Sequence, residues 1–228
     1  MSTLGPMNAI RETNGSVWTV VVAGGGGTRF GAAKQYEQLA GRGVLEWSVG
    51  AAAASSDGVV VVVPRADVDR AVPDADVVVG GGDSRAASVR RGLAAVPADA
   101  GVVLVHDAAR PAASRALFGR VIAGVRAGAA GLVPAIAVTD SLRTREGVAV
   151  DRERLVAVQT PQGFPAEVLR AAHADGGEAS DDATLVERAG GTIVVVDGEV
   201  TNTKLTHPHD RVLLEQTLAS RLTDGPAS

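Results

Sequence analysis

The chain has 228 residues and a formal net charge of −4, with 46% hydrophobic but only 3% aromatic residues. That length suits one α/β domain, and the acidic balance excludes the basic footprint on which broad nucleic-acid binding depends. The absence of cysteine excludes disulfides, thiolate metal sites and cysteine nucleophiles.

In chain order, residues 1–15 have neither an uninterrupted apolar stretch nor a basic start, and read as a flexible extension. No segment approaches the roughly 20 apolar residues of a membrane helix, so a cytoplasmic protein without a membrane partner is the expectation. Residues 17–23 form an apolar, β-branched run that stops at Gly24, Gly25, Gly26 and Gly27. Such a run predicts a buried strand feeding a loop of unusual backbone freedom. An Ala-rich helix is predicted over 45–54, and five valines over 59–63, closed by Pro64, predict a central strand. A strand over 77–79, a helix over 84–96 and a strand over 102–105 follow, the last running into His106 and Asp107.

A helix over 117–125 and a strand over 131–138 continue the alternation. Residues 139–154 are charged, poor in large apolar side chains and turned at Glu146-Gly147, which predicts a projecting hairpin before apolar residues return at 155–158. A helix is expected to begin near Pro165, with Ser180 as the N-cap of another over 181–189 and a last strand over 193–196. Leu214, Leu218 and Leu222 mark one face of a C-terminal helix. The pattern predicts a three-layer α/β/α sandwich with a mostly parallel, Rossmann-like sheet. It forms one domain over 16–223, with a tail at 224–228. Ligands of such sheets lie at the carboxyl ends of the strands.

Several residues carry chemistry at that edge. The glycines with Arg29 and Lys34 suit a phosphate cradle, since glycine lets N–H groups approach phosphate oxygens while the cations supply charge. Alone, the same pattern also describes a tight surface turn with two solvated cations. No G-x-G-x-x-G and no Gly-Lys-Ser/Thr is present, which disfavours dinucleotide and P-loop readings. Asp107, ending a strand, is placed to hold Mg²⁺ beside a triphosphate, or else to cap a turn. Gly81-Gly82-Asp83-Ser84 forms a second glycine-rich junction, where Asp83 could equally cap the next helix. Four arginines, Arg143, Arg145, Arg152 and Arg154, concentrate positive charge on the hairpin, and Lys204 follows the last strand. His106, His207 and His209 read as structural or surface residues.

Four ordered motifs carry a resemblance: the glycine turn with Arg29 and Lys34-Gln35; Gly81 through Val89; His106-Asp107-Ala108-Ala109-Arg110-Pro111; and Thr160-Pro161-Gln162-Gly163-Phe164. Over roughly residues 17–222 the chain resembles the 2-C-methyl-D-erythritol 4-phosphate cytidylyltransferase family, with the ribitol-5-phosphate enzymes as nearest alternative. The resemblance implies Mg²⁺-dependent transfer of CMP from CTP to a small alditol phosphate. It assigns transition-state charge to Arg29, Lys34 and Lys204, and Mg²⁺ to Asp107. Ala23, Gly24, Gly25, Gly82, Asp83, Ser88, Asp107 and Ala108 would enclose the nucleotide. Arg110, Ser141, Thr160, Ser180 and Lys204 would bind the acceptor, with Arg152 reaching in from a second subunit. A homodimer with exchanged arms, roughly residues 139–158, is therefore implied. The family's usual Asp is Thr201 here, and Ser141 and Ser180 replace common threonines.

Overall fold

The computed structural model describes residues 13–24 and 34–223. Arg29 and Gly25 lie outside the described residues, as do the proposed tail and most of the N-terminal extension.

The valine runs decide the architecture. Strand β1 (Val17–Val22) pairs in parallel with β4 (Gly58–Val63) and with β6 (Val102–Asp107), and β4 pairs in parallel with β5 (Val77–Gly80). Every residue of β4 is buried. Val59, Val61 and Val63 face one layer of the core, while Val60 and Val62 face the other. An unbroken valine run is what a strand covered on both faces requires.

Helix α1 (Val44–Ala53) and α3 (Arg115–Arg126) cover the first face. Helices α2 (Arg85–Ala95), α4 (Ala166–His173) and α5 (Asp182–Arg188) cover the second. Gly92 of α2 lies against Val20 and Val62 so closely that a Cβ would collide with them. Helix α2 therefore sits flush on β1 and β4, which fixes the loop entering it. A small hairpin, β2 (Gln38–Leu39) with β3 (Arg42–Gly43), precedes α1.

The other half of the sheet is mixed. Strand β7 (Gly131–Ala137) pairs antiparallel with β10 (Val156–Val158) and β11 (Gln162–Pro165), and in parallel with β12 (Ile193–Asp197). The charged segment over 139–154 contains a hairpin, as its pattern predicts. Its own hairpin is β8 (Leu142–Arg143) with β9 (Ala149–Val150), whereas residues 156–158 belong to the main sheet. Strand β11 has no counterpart among the predicted elements, and the cap of α5 is Asp181 rather than Ser180. Asp181 Oδ1 accepts from Thr184 N at 3.1 Å and Oδ2 accepts from Gln162 Nε2 at 3.0 Å, so β11 selects the cap.

A third apolar cluster joins Leu39, Val44, Ala112 and Leu205 to Leu214 and Leu218 of helix α6 (Asp210–Thr223). Leu222, predicted on the same helix face, is exposed.

Candidate active site

The carboxyl ends of β1 and β6 lie side by side, with Val22 paired to Asp107. Beyond them opens a cleft of about 380 Å³, large enough for a nucleotide-sized ligand. Ala23, Gly24, Gly82, Asp83, Ser88 and Ala108 line it, together with Lys34, Asp107 and Lys204. The described members of the predicted nucleotide and charge sets thus converge on one space.

The glycine junctions shape one wall. Ser88 Oγ accepts from Gly82 N at 3.1 Å and donates to Ser84 O at 2.9 Å. Its hydroxyl is thereby spent on holding the turn. A Cβ on Gly82 would lie 2.5 Å from Ala87 Cβ and 2.9 Å from its carbonyl carbon, so only glycine fits without moving backbone. Ser84 caps α2, accepting from Ala87 N. Asp83 is therefore not the cap; it is exposed and pairs with Arg65 at 3.1 Å.

Asp107 is the charged centre of the opposite wall. Lys204 Nζ lies 2.6 Å from its Oδ2 and Arg85 Nε lies 3.3 Å from its Oδ1. Burial would push its carboxyl up, but Arg85, Lys204 and Arg110 together hold it well below the usual carboxylate range. It is an anion at any working pH. Its backbone N–H donates to Thr160 Oγ1 at 3.0 Å.

Behind Asp107, His106 is fully buried. Its Nε2–H donates to Arg110 O at 3.3 Å, and its Nδ1 accepts from Thr160 Oγ1 at 3.2 Å. Burial lowers its pKa to about 4, so the ring is neutral and serves as a brace. Thr160, an expected acceptor contact, is buried and bonded through Oγ1 to His106 and to the Asp107 backbone, so it also supports the site.

Lys34 and Lys204 share an anchor. Leu205 N donates to Ala109 O at 2.7 Å, while Leu205 O accepts from Lys34 Nζ at 2.9 Å. The fully buried Leu205 side chain packs with Leu214 and Leu218. Arg110 donates from Nη1 to Asn202 O at 2.8 Å, and its buried Nε has no hydrogen-bond partner among the described residues.

The remaining acceptor candidates are not gathered here. Ser141 and Ser180 are exposed and do not line the cleft. Arg152, on the exposed arm, donates to Thr139 O and lines a separate cavity of about 260 Å³ beside β7 and β12. Five residues not among the candidates, Val22, Gln35, Ser84, Arg85 and Ala109, also line the cleft. A cation opening a helix was the one available signal for Arg85.

Comparison with known proteins agrees with this geometry. Residues 17–220 match the model of the IspD family, 2-C-methyl-D-erythritol 4-phosphate cytidylyltransferase. The enzyme of that name from Nocardia farcinica is 42% identical, over 92% of this chain and 97% of its own length. The crystal structure of the Thermus thermophilus enzyme superimposes with a TM-score of 0.76 at 40% identity, over 89% of this chain and 98% of that one. A bifunctional IspD/IspF enzyme of Nitratidesulfovibrio vulgaris is 42% identical over 87% of this chain, which spans only 57% of that longer protein. The chain belongs to the 2-C-methyl-D-erythritol 4-phosphate cytidylyltransferase family.

Proposed function

We propose that the chain transfers CMP from CTP to 2-C-methyl-D-erythritol 4-phosphate, releasing pyrophosphate and forming CDP-methylerythritol. The observation that carries this reading is the convergence of Lys34, Lys204 and Asp107 on one cleft floored by glycine turns. A phosphate oxygen of the acceptor attacks the α-phosphorus of CTP in line with the departing pyrophosphate. Positioning and charge stabilisation are the main demands on the protein in such a reaction. Lys34 and Lys204, with Arg29, supply cations where negative charge accumulates. Ala23, Gly24, Gly82 and Ala108 enclose the nucleoside by close backbone approach, and Ser88 holds that wall in shape. Asp83, exposed at the rim, stands beside it.

The donor set fits a divalent cation of the Mg²⁺ type. Among the described residues no cluster of three potential ligands exists, and Asp107 is one ionised carboxylate turned toward the cleft. Magnesium takes one or two carboxylates and completes its shell with phosphate oxygens and water. Asp107 would hold it, and the ion would neutralise triphosphate charge when bound.

Arg110, whose Nη1 is held by Asn202 O at 2.8 Å, would add its guanidinium to the acceptor side of the site. Arg152, Ser141 and Ser180 would complete that pocket if the arm crosses to a second copy. Exposed Val156 and Val158 on β10, and Val195 on β12, would provide an apolar surface beside the arm for such a homodimer. Among the described residues no helix is long and apolar enough to cross a membrane. A pyrophosphate-release assay crossing four nucleotides with a panel of alditol phosphates tests the reading. Release with CTP and methylerythritol phosphate is expected; release only with ribitol 5-phosphate would reassign the acceptor.

A further inference from the structure

One chain of buried ion pairs runs from the cleft into the core and has no task in the scheme above. Asp182, at the start of α5, is completely buried. Its Oδ1 lies 3.0 Å from Nε2 of the buried His173, and its Oδ2 accepts from Arg85 Nη1 at 2.8 Å. The same guanidinium reaches Asp107 Oδ1 with its Nε at 3.3 Å. One cation is thus divided between a carboxylate that water does not reach and a carboxylate that faces the cleft. The division is unequal: the shorter bond goes to Asp182.

Arg85 stands where local preference disfavours it. It is the first residue of α2, no acidic residue follows in that turn, and the positive end of a helix dipole repels a cation. The two carboxylates compensate, keeping its guanidinium charged despite burial. Gln162 of β11 fixes the start of α5, accepting from Ala183 N at 3.3 Å and donating to Asp181, so Asp182 is set rigidly relative to β6. An isolated buried carboxylate is costly, so Asp182 holds its partner firmly.

We propose that Asp182 is a positioning residue: by retaining Arg85, it keeps the guanidinium from closing on Asp107 and leaves that carboxylate exchangeable for the divalent cation of the nucleotide complex. The inference rests on the reading that Asp107 takes the metal. With Asp182 neutral, the planar fork of Arg85 would turn to Asp107 alone, where a bidentate pair competes directly with the ion.

The test uses Mn²⁺ as probe, with its binding followed by electron paramagnetic resonance. The protein is saturated with a CTP analogue carrying a methylene between the α and β phosphorus atoms. Asp182→Asn, folded by circular dichroism, is expected to raise the Mn²⁺ dissociation constant about tenfold, the scale on which neighbouring charges couple. Adding Arg85→Gln to that variant is expected to return the constant to the parent value or below, since the competing cation is gone. A role confined to folding would lower Tm and show no such reversal. An unchanged constant in Asp182→Asn, or a double variant as weak as the single one, overturns the proposal. If Asp182→Asn does not fold, the double variant decides alone, and binding weaker than the parent by more than about threefold overturns it. Asp107→Asn reports on the underlying reading. Loss of affinity there with none in Asp182→Asn removes only the positioning role, whereas no loss in Asp107→Asn removes both.

Discussion

Lys204 Nζ lies 2.6 Å from Asp107 Oδ2, joining residues 97 positions apart across the mouth of the cleft. The pair keeps a lysine and a carboxylate oriented toward the same small volume before any substrate arrives. Because Lys204 is 43% exposed at its side chain, the contact is open enough to exchange for a phosphate. Replacing Lys204 by Ala removes that cation and is expected to lower kcat by about a hundredfold or more, with little change in Tm. Turnover within a few-fold of the parent enzyme would show that Lys204 serves only to pair Asp107.

Lys34 lines the same cleft as Lys204 and Asp107. Lys34→Ala is expected to lower kcat by about three orders of magnitude at near-parent stability, because its charge is needed most in the transition state. A fall confined to KM would place it in ground-state nucleotide binding instead.

The arm offers a separate experiment. Arg152→Ala is expected to raise KM for the acceptor by about tenfold or more, the loss of one charge-assisted contact, while KM for CTP stays put. At acceptor concentrations well below its raised KM, Arg152→Ala mixed with Lys34→Ala protein under conditions of subunit exchange is expected to exceed the summed activity of the two variants alone. Verified exchange without recovery argues that each cleft is complete within one chain.

Gly82 provides a steric probe. Ala at this position must displace Ala87 backbone, loosening the bond from Gly82 N to Ser88 Oγ. Overpacking of this kind costs about 1–3 kcal/mol. The prediction is a KM for CTP raised about tenfold with the acceptor KM unchanged, read by steady-state kinetics. Equal effects on both substrates would indicate a general loss of fold.

The acid limb of stability follows from His106. Its folded pKa, about 4, lies below the ordinary histidine value, so the unfolded chain binds the extra proton first. Stability attributable to this ring is complete above about pH 6.5 and is lost as pH falls toward 4, by about 3 kcal/mol in all. Protonation would also deprive Thr160 Oγ1 of its acceptor on Nδ1. A His106→Gln variant is expected to show a shallower fall in denaturation free energy between pH 6.5 and 4. An identical slope in both proteins assigns the acid sensitivity elsewhere.

Much of this molecule is legible in its residues. The valine runs at 59–63 and 102–105 lie in central strands because only a doubly covered strand tolerates them, and Asp107 falls at the strand end that such sheets use. The convergence of Ala23, Gly82, Asp107 and Lys204 follows from strand–loop order. What escapes is whatever depends on distant pairing. Strand β11 is only Gln162–Pro165, contains Gly and Pro, and exists because β6 and β7 accept it antiparallel. The choice of Asp181 over Ser180 as a cap depends on Gln162 within that strand. Arg85 reads locally as a misplaced helix cation until Asp182 is brought beneath it by β11 and α5. The inward role of Thr160 likewise needs His106 and Asp107 on the neighbouring strand.

Leu205 gives the site a temporal order. Its carbonyl accepts from Lys34, its amide binds Ala109, and its side chain is gripped by Leu214 and Leu218. A nascent chain emerging from the ribosome can assemble β1, β4 and β6 and the glycine wall early, but the seat of Leu205, begun by Leu39, Val44 and Ala112, stays open until α6 is synthesised. Maturation of the charged half of the cleft therefore waits on a segment made after every strand of the main sheet. A prematurely terminated product lacking α6 would carry most of the sheet while its two lysines lacked a common fixed point.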